Sequence, residues 1–367
     1  MPKNIQAVVL AGKTSENLQP NKIKFIEKIC GKEMIMYPLQ LLKKLQIPTT
    51  IVVGEQPEHI KKIVEYYKNY DINIVHQQQS LGGGHAVMLT KPFWQKDHIL
   101  LIGADIPLLT EDIIIKLYNK HVTTDADLSF ITAHGIDIEN KNYCHIVIND
   151  NKINVIKKND ALQDLDNQCC ISGGVYIAKK SFLEKHIQLL TKNETDHEYH
   201  LPELVQIASN NHCKIVTSPV SIDSIRCVDT LADLWAIEHI KRSQIIRHWM
   251  EHGVRIANAL NVMIDENVII EPGAYIGSGA HLLGKTIIKS DVSIGAYSYI
   301  TDSIIETNSI IKPHVVISKS TISAHSTIQP FTHINKQNDP ESLHKEESVQ
   351  TFTGAMKTKH FDSNHDA

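Results

Sequence analysis

The chain has 367 residues, which is enough for two domains with complete hydrophobic cores. Its 41 acidic and 37 basic residues leave a net charge of -4, and this argues against a general nucleic-acid binder, because such proteins carry a basic surplus. The six cysteines form no CxxC pair and the 21 histidines show no metal-ligand spacing, so we expect reduced thiols. No apolar run approaches the roughly 20 residues of a membrane span, and no signal segment precedes the first strand. These features predict a cytoplasmic protein with no membrane or nucleic-acid partner.

Residues 1–230 alternate strand and helix patterns, which is typical of a Rossmann-like domain with a mixed, mainly parallel sheet. The predicted strands are Ile5–Leu10, Thr50–Val53, Ile72–His76, Ile99–Gly103, Asp127–Thr132, Ile146–Ile148, Ile153–Ile156, Gly174–Ile177 and Lys214–Thr217. The predicted helices are Glu33–Leu45, Glu58–Lys68, Gly84–Thr90, Glu111–His121, Lys180–Leu190 and Leu201–Ser209. Ligands bind outside the carboxyl ends of strands in such sheets, so the chemistry is expected in residues 11–24, 77–85 and 104–107.

Residues 231–257 are predicted to connect this domain to a second one through an amphipathic helix at Leu231–His252. Its apolar positions, spaced roughly like one helical face, are Leu231, Leu234, Ile237, Ile240 and Ile245. At the other end of the chain, residues 335–367 are polar and aperiodic, which predicts a disordered tail.

A six-residue period runs through residues 258–334, and neither an α-helix nor an ordinary strand has this period. It places one aliphatic side chain in every hexad, in three in-phase runs: Ile264, Ile270, Ile276, Leu282, Ile288, Ile294 and Ile300; then Ile305, Ile311 and Ile317; then Ile322, Ile328 and Ile334. The pattern predicts a hexapeptide-repeat β-helix whose stacked coils share one continuous core. Gly277 and Gly295 are expected at corners that need unusual backbone angles.

Several short motifs occur in the order found in sugar-1-phosphate nucleotidyltransferases. They are LAGK at Leu10–Lys13, KFIEKICGKEMI at Lys24–Ile35, QQQSLGGGHAV at Gln77–Val87, GADIPLL at Gly103–Leu109, HEYHLPELV at His197–Val205 and RCVDTLADL at Arg226–Leu234. With a hexapeptide helix behind them, they resemble the bacterial bifunctional UDP-N-acetylglucosamine pyrophosphorylase and glucosamine-1-phosphate acetyltransferase family. The resemblance covers residues 1 to about 334. It implies a nucleotidyltransferase domain followed by a short left-handed β-helix that forms a homotrimer.

The resemblance also implies a reaction, in which UMP is transferred from UTP to N-acetylglucosamine 1-phosphate and pyrophosphate leaves. Because the nucleophile and the electrophile are both anionic, charge neutralisation and positioning supply most of the catalysis, and Mg²⁺ held by oxygen ligands suits this task. The implied metal ligands are Asp105 and Asp229, the latter where the family usually carries Asn. The implied catalytic cations are Lys24, which faces the phosphates, and Lys13.

The same resemblance assigns the binding residues. The nucleotide-binding set is Leu10, Ala11, Gly12, Lys24, Gln77, Gly82, Gly83, Gly103, Ala104 and Asp105. Gln77 is expected to read the uracil edge through its amide, and the two glycines after it let the backbone approach the base. The sugar-phosphate-binding set is Asn142, Lys157, Ser172 and Asp229.

Two regions depart from the family pattern. The arginine of the first loop is replaced by Glu16 or Asn17, and loss of one such donor costs a factor of about 10²–10³ in rate. Lys13 would substitute only in part, because a point charge lacks the fork of arginine. On the sugar side, the family's GYGRI segment becomes Asn142–Ile146, its VEHKDA glutamate becomes Lys157, and its NTG asparagine becomes Ser172.

Three interpretations of the function therefore stay open. The first is the UTP-dependent enzyme, without acetyltransferase activity because the β-helix is short. The second is a catalytically degraded relative that binds nucleotide or scaffolds a partner. The third is a nucleotidyltransferase with a different base or sugar phosphate.

Overall fold

The computed structural model describes residues 2–12, 23–54, 57–66, 72–134, 144–149, 152–156 and 169–335. The chain divides into two compact units. The first comprises Met1–His252 together with Met263–Val268, and the second comprises Gly253–Val262 together with the chain from Ile269 onward. The predicted connecting helix therefore belongs to the first unit. The predicted tail lies, apart from Asn335, outside the described residues.

Nine of the described strands in the first unit form one sheet, in the order β11-β7-β10-β6-β1-β4-β5, with β8 beside β10 and β9 beside β8. Strand β10 runs antiparallel to β6, β7 and β8, whereas β1 is parallel to β4 and β6. Each of these strands contains or overlaps a strand predicted from the sequence. Their bounds are β1 (Ile5–Ala11), β4 (Thr49–Val53), β5 (Ile72–His76), β6 (His98–Gly103), β7 (Leu128–Ala133), β8 (Cys144–Asn149), β9 (Lys152–Ile156), β10 (Cys169–Lys179) and β11 (Ile215–Pro219).

Helices cover both faces of this sheet, which explains why the central strands are apolar on both sides. In β1, Ala7 and Val9 pack into one hydrophobic layer while Val8 packs into the other, as the period of two along a strand requires. The helices of the first unit are α1 (Met36–Lys44), α2 (Pro57–Tyr66), α3 (Gly82–Leu89), α4 (Glu111–Thr123), α5 (Lys180–His186), α6 (Glu203–Asn210) and α7 (Leu231–Glu251). None of the described helices is both long and apolar enough to cross a bilayer.

Helix α1 begins later than the sequence predicted, at Met36 rather than Glu33. The preceding residues form a hairpin of two short strands, β2 (Lys28–Ile29) and β3 (Lys32–Glu33). Cys30 and Gly31 turn the chain there with positive φ values of 45° and 76°. A turn of this kind is incompatible with a continuing helix, so the predicted helix loses its first residues.

Helix α7 is the predicted connecting helix, and its N-terminus has a complete capping box. The Thr230 hydroxyl accepts a hydrogen bond from Asp233 N at 3.1 Å, and Asp233 Oδ2 accepts one from Thr230 N at 2.8 Å. The predicted apolar face is only partly correct, because Leu231 is 53% exposed while Ile237 and Ile245 are buried. The capping box fixes the point at which the chain enters the helix.

The second unit is a β-helix, as the period of six predicted. Its strands pair in parallel along three faces, in the orders β12-β15-β18-β21-β24, β14-β17-β20-β23 and β16-β19-β22-β25. These strands are β12 (Arg255–Ile256), β14 (Ile269–Ile270), β15 (Tyr275–Ile276), β16 (His281–Leu283), β17 (Ile287–Ile288), β18 (Ser293–Ile294), β19 (Tyr299–Thr301), β20 (Ile304–Ile305), β21 (Ile310–Ile311), β22 (Val316–Ser318), β23 (Thr321–Ile322), β24 (Thr327–Ile328) and β25 (His333–Asn335). One further short strand, β13 (Met263–Ile264), lies in the segment that belongs to the first unit.

Gly277 and Gly295 were predicted to adopt unusual backbone angles, and this prediction is wrong. Neither has a positive φ; the left-handed corners carry residues such as Asp291 and Asn308 instead. A Cβ on Gly277 would lie 2.6 Å from Ala296 N, and a Cβ on Gly295 would lie 2.4 Å from Pro313 N. Glycine is needed at both positions because the backbone of the next coil passes too close for a side chain.

Candidate functional site

A buried lysine and two aspartates from distant parts of the chain meet at the carboxyl edge of the large sheet. Lys24 Nζ lies 2.7 Å from Asp105 Oδ2 and 2.7 Å from Asp229 Oδ1. The Lys24 side chain is 1% exposed, whereas the two carboxylates keep about a quarter of their surface, at 24% and 26%. We call these three residues the lysine–aspartate triad. The structure thus brings together three residues that the sequence analysis singled out.

The triad is strongly polarised. Burial alone would lower the pKa of Lys24, but the charges of Asp105 and Asp229 outweigh burial and raise that pKa well above its usual value. Lys24 is therefore a permanent ammonium at neutral pH. Since it faces two carboxylates, the triad as a whole keeps one surplus negative charge.

Local structure explains why the two aspartates converge. Asp105 comes directly after β6, and a Cβ on Gly103 would lie 2.5 Å from Asp105 Oδ1, so only glycine leaves room for this carboxylate. Asp229 stands just before α7, and its backbone N donates to the capping residue Asp233 at 3.2 Å. The backbone of Val228 donates to the Asp105 carbonyl at 3.3 Å, which ties the two segments together.

The donor set of the triad fits a hard divalent cation. Two carboxylate oxygens from different segments already converge on one positively charged atom, and carboxylate oxygens are the ligands that Mg²⁺ prefers. A third neighbour, Cys227, donates its thiol to Asp229 Oδ2 at 3.5 Å. Burial and then the charges of Asp105 and Asp229 raise the pKa of this thiol.

A cavity of about 190 Å³ opens beside the triad. Its walls come from the ends of β1 and β6, the start of α3 and the loop before α3. The lining residues are Leu10, Gly12, Phe25, Gln77, Ser80, Gly82, Gly83, Ala86, Gly103, Asp105 and Glu198. Seven of these eleven were assigned to the nucleotide from the sequence, and Asp105 belongs to both the cavity and the triad.

Gln77 is fixed in this cavity by a specific set of contacts. Its amide Nε2 donates to Gly82 O at 3.2 Å and lies 2.9 Å from His85 Nδ1. Because a carbonyl can only accept, the amide orientation is determined, and His85 Nδ1 must then be the unprotonated acceptor. Burial and then the charge of Lys192 lower the pKa of His85, which favours this neutral form. The atom that Gln77 leaves for a ligand is its carbonyl Oε1.

Gly12 lies directly against that oxygen. A Cβ at Gly12 would lie 2.6 Å from Gln77 Oε1, and a Cβ at Gly54 would lie 2.2 Å from Gly12 O. The backbone at Gly12 therefore lies so close to Gln77 and Gly54 that a side chain there is excluded. This is the kind of open backbone that can approach a nucleotide closely.

Gly82 and Gly83, which both line the cavity, have different surroundings. Helix α3 begins at Gly82 itself, where φ is 85°, and a Cβ there would lie 2.8 Å from Tyr199 O. Gly84 N donates to the same carbonyl at 2.8 Å. Gly82 thus serves to pack the start of α3 against the backbone of Tyr199, while Gly83 has ordinary contacts at 3.6 Å.

The remaining predicted residues fall into two groups. Ala11 and Ala104 are buried at the ends of β1 and β6, and Ala104 N donates to Leu10 O at 3.0 Å. Ser172 is buried in β10, and its hydroxyl lies 2.7 Å from the Tyr176 hydroxyl, so it does not line the cavity. Lys13, Asn142 and Lys157, and the first-loop positions Glu16 and Asn17, lie outside the described residues.

Sequence reasoning missed four cavity residues: Phe25, Ser80, Ala86 and Glu198. All four lie inside the motifs that carried the resemblance, so the motifs located the site but did not show which members face it. Glu198 also belongs to a group with Asp196 and His200, whose ligand atoms lie within 4.8 Å of one another. His200 Nε2 is 2.9 Å from Asp196 Oδ2, so these two side chains are hydrogen-bonded to each other.

The fold is that of an α/β protein, and the cavity lies at the carboxyl edge of the sheet, where such proteins bind ligands. Residues 7–248 match the MobA-like NTP transferase domain family, and residues 264–354 match the GMPPB C-terminal domain. The first match covers most of the chain, and the protein belongs to the family of MobA-like NTP transferases.

Curated relatives carry both parts. The chain is 28% identical over 309 residues to the bifunctional protein GlmU of Clostridioides difficile, covering 82% of this chain and 66% of that protein. It is 27% identical over 319 residues to GlmU of Sulfurimonas denitrificans, covering 84% of this chain and 70% of that protein. The chain thus spans about two thirds of the length of these relatives. A solved structure, the inositol-1-phosphate CTP transferase from T. maritima, aligns with a TM-score of 0.49 at 16% identity, over 65% of this chain and 98% of that one.

Proposed function

We propose that the protein transfers UMP from UTP to N-acetylglucosamine 1-phosphate and releases pyrophosphate, with Mg²⁺ as cofactor. The observation that carries the proposal is the triad, in which Asp105 and Asp229 converge beside a cavity whose lining matches the nucleotide motifs. The relatives named GlmU support the same chemistry, because they share both the transferase segment and the β-helix segment.

In this reaction each side chain has a defined task. Asp105 and Asp229 would hold the Mg²⁺, which when bound neutralises phosphate charge and orients the α-phosphorus. Lys24 supplies a permanent positive charge next to the site where phosphate oxygens would bind. Gln77 Oε1 would accept a hydrogen bond from the base, because Nε2 already donates to Gly82 O, and the imide N–H of uracil is a donor that cytosine lacks.

Pyrophosphate release from each of the four NTPs, with Mg²⁺ and a panel of hexose and hexosamine 1-phosphates, tests the proposal. We expect turnover with UTP and N-acetylglucosamine 1-phosphate above all other pairs. Turnover with a different pair would reassign the substrates, and no turnover with any pair would refute the enzymatic function.

Light scattering of the purified protein tests the homotrimer, which remains a prediction.

A second candidate, a protein that binds nucleotide without turnover, is favoured by one feature of the sequence. The first-loop arginine of the relatives is replaced by Glu16 or Asn17, and a carboxylate beside triphosphate oxygens is repulsive. Stabilisation by UTP in a thermal-shift measurement, without pyrophosphate release, would support this candidate.

A further inference from the structure

The Lys24 ammonium occupies the point on which both carboxylates of the triad converge. Its Nζ makes a charge-assisted hydrogen bond of 2.7 Å to each of Asp105 and Asp229. The side chain is almost fully buried, so this is a built position rather than a chance surface pairing.

A divalent cation that bridges the same two carboxylates needs the same position. Magnesium binds carboxylate oxygens at about 2.0–2.1 Å, so an ion shared by both oxygens cannot coexist with an ammonium between them. Two like charges in contact also repel each other strongly in a poorly hydrated site. Metal binding between these two oxygens and the observed Lys24 position are therefore mutually exclusive.

We propose that Lys24 is a resident counter-cation that closes the metal position of the nucleotide-free protein. A divalent cation bridges Asp105 and Asp229 only when Lys24 leaves them, and the phosphates of a bound nucleotide are the anionic partner that receives its charge. The metal accordingly binds together with the nucleotide rather than before it. This inference rests on the proposed function, because it concerns the metal and the nucleotide of the same site.

The test measures metal binding alone, in the absence of nucleotide. Mn²⁺ is titrated into the full-length protein and its free concentration is followed by electron paramagnetic resonance. Lys24→Met removes the ammonium with little change in side-chain length, and we expect it to bind Mn²⁺ about tenfold or more tightly than the wild type, since two charged hydrogen bonds no longer have to be broken.

The double variant Lys24→Met/Asp229→Asn separates occupancy from charge. It carries the same net charge in the triad as the wild type, because one cation and one anion are removed together. If the vacated position matters, the double variant still binds Mn²⁺ more tightly than the wild type. Equal or weaker binding would show that only net charge matters, and it would overturn the proposal. Lys24→Met alone leaves two carboxylates close together without a counter-charge, whereas the double variant leaves only one. The double variant therefore keeps the test available if Lys24→Met fails to fold.

Lys32→Met provides a matched control. Lys32 is a second buried lysine whose ammonium lies 3.3 Å from a carboxylate, that of Glu266, but it lines neither the cavity nor the triad. Its Mn²⁺ affinity should equal that of the wild type, and an increase as large as that of Lys24→Met would refute a specific role for Lys24. Pyrophosphate release by the wild type is measured separately, and absence of turnover refutes the proposed function. If the wild type is active but Lys24→Met binds Mn²⁺ no more tightly than the wild type, only the counter-cation proposal is refuted.

Discussion

Two buried lysines of the first unit, Lys24 and Lys32, lie in opposite charge environments. Lys24 is shared by two carboxylates, whereas Lys32 and Lys241 share the single carboxylate of Glu266, each at 3.3 Å. Burial lowers the pKa of Lys32 more than Glu266 raises it, while the two aspartates of the triad raise the pKa of Lys24.

The difference shows how one residue type serves two purposes. At the Glu266 cluster the surplus charge is positive. Both ammonium groups make cation–π contacts with the ring of Tyr37, whose centroid lies 4.6 Å from Lys32 Nζ and 5.1 Å from Lys241 Nζ. Lys32 also donates to Gln40 Oε1 at 2.6 Å, so all its partners belong to the protein. At the triad the surplus charge is negative and borders a cavity, which favours the exchange of the Lys24 ammonium for a divalent cation.

The largest expected effect is on the triad. Asp105→Asn removes a negative charge from the site, and pyrophosphate release should fall by a factor of about 10²–10³, as for other losses of one electrostatic contact in a transition state. The measurement is kcat with UTP and N-acetylglucosamine 1-phosphate at saturating Mg²⁺. Asp125→Asn is the control, since that side chain is 85% exposed in a pair with Lys179. A rate within a few-fold of wild type for Asp105→Asn would remove the triad from the mechanism.

The next effect is on stability at the Glu266 cluster. Glu266→Ala leaves the buried ammonium of Lys32 without its carboxylate, and we expect a loss of about 2–3 kcal/mol in the free energy of unfolding. Urea denaturation gives this value, and Glu58→Ala, which breaks an exposed pair with Lys61, should leave the free energy of unfolding close to that of the wild type. UTP binding should be unchanged in both variants. A loss of binding in Glu266→Ala alone would contradict a purely structural role.

The contrast between the two lysines also marks what a sequence can predict here. Strand and helix positions followed from apolar periods, and the rule for ligands at strand ends pointed to residues 104–107. The roles of Asp105 and Asp229 as metal ligands were implied only by the resemblance of their motifs to those of the nucleotidyltransferases. The partners of Lys24 were not predictable, because motif order identifies residue types near a ligand and not which of them touch each other. Cys227 and Glu198 escaped for the same reason.

The two corrected glycines, Gly277 and Gly295, illustrate a second limit. A glycine in a repeat is read first as a site of unusual φ, whereas here the cause is the distance to the next coil. That distance depends on how coils stack and is not encoded within a single hexad. Ser172 is a similar case, because its hydroxyl is taken by Tyr176 across a β-bulge in β10.

A smaller effect is expected at the wall of the cavity. Gly12→Ala places a Cβ 2.6 Å from Gln77 Oε1, the atom left for a base, and should weaken UTP binding about tenfold, a cost of roughly 1.4 kcal/mol. Isothermal titration calorimetry measures the Kd. Gly277→Ala is the matched control, because it introduces an equally close contact in the β-helix and should lower the melting temperature without changing the Kd for UTP. Equal affinities for wild type and Gly12→Ala would place the base elsewhere.

The smallest effect is the pH dependence of stability, and the two lysines should differ in it. The pKa of Lys32 is lowered from 10.5 in the folded state. Just below pH 10.5 the Lys32 amine is therefore protonated more often in the unfolded chain than in the folded one. As a result, the contribution of Lys32 to the free energy of unfolding rises with pH in this range. Lys24 has a raised pKa, so its contribution is fully present below 10.5 and is lost only as pH rises through the folded-state value.

Urea denaturation of wild type, Lys32→Met and Lys24→Met between about pH 8 and 10.5 separates these signs. The difference between wild type and Lys32→Met should grow in favour of wild type by less than about 1.4 kcal/mol per pH unit, the limit for one proton. The difference between wild type and Lys24→Met should stay constant over the same range. Cys30 and Tyr37 face Lys32, but burial raises the pKa of Cys30 to about 12 and that of Tyr37 further, so both stay protonated there. If the stability difference from wild type changed with pH in the same way for both variants, the two lysines would not differ in the charge balance of their surroundings. That result would contradict the distinction between Lys24 and Lys32.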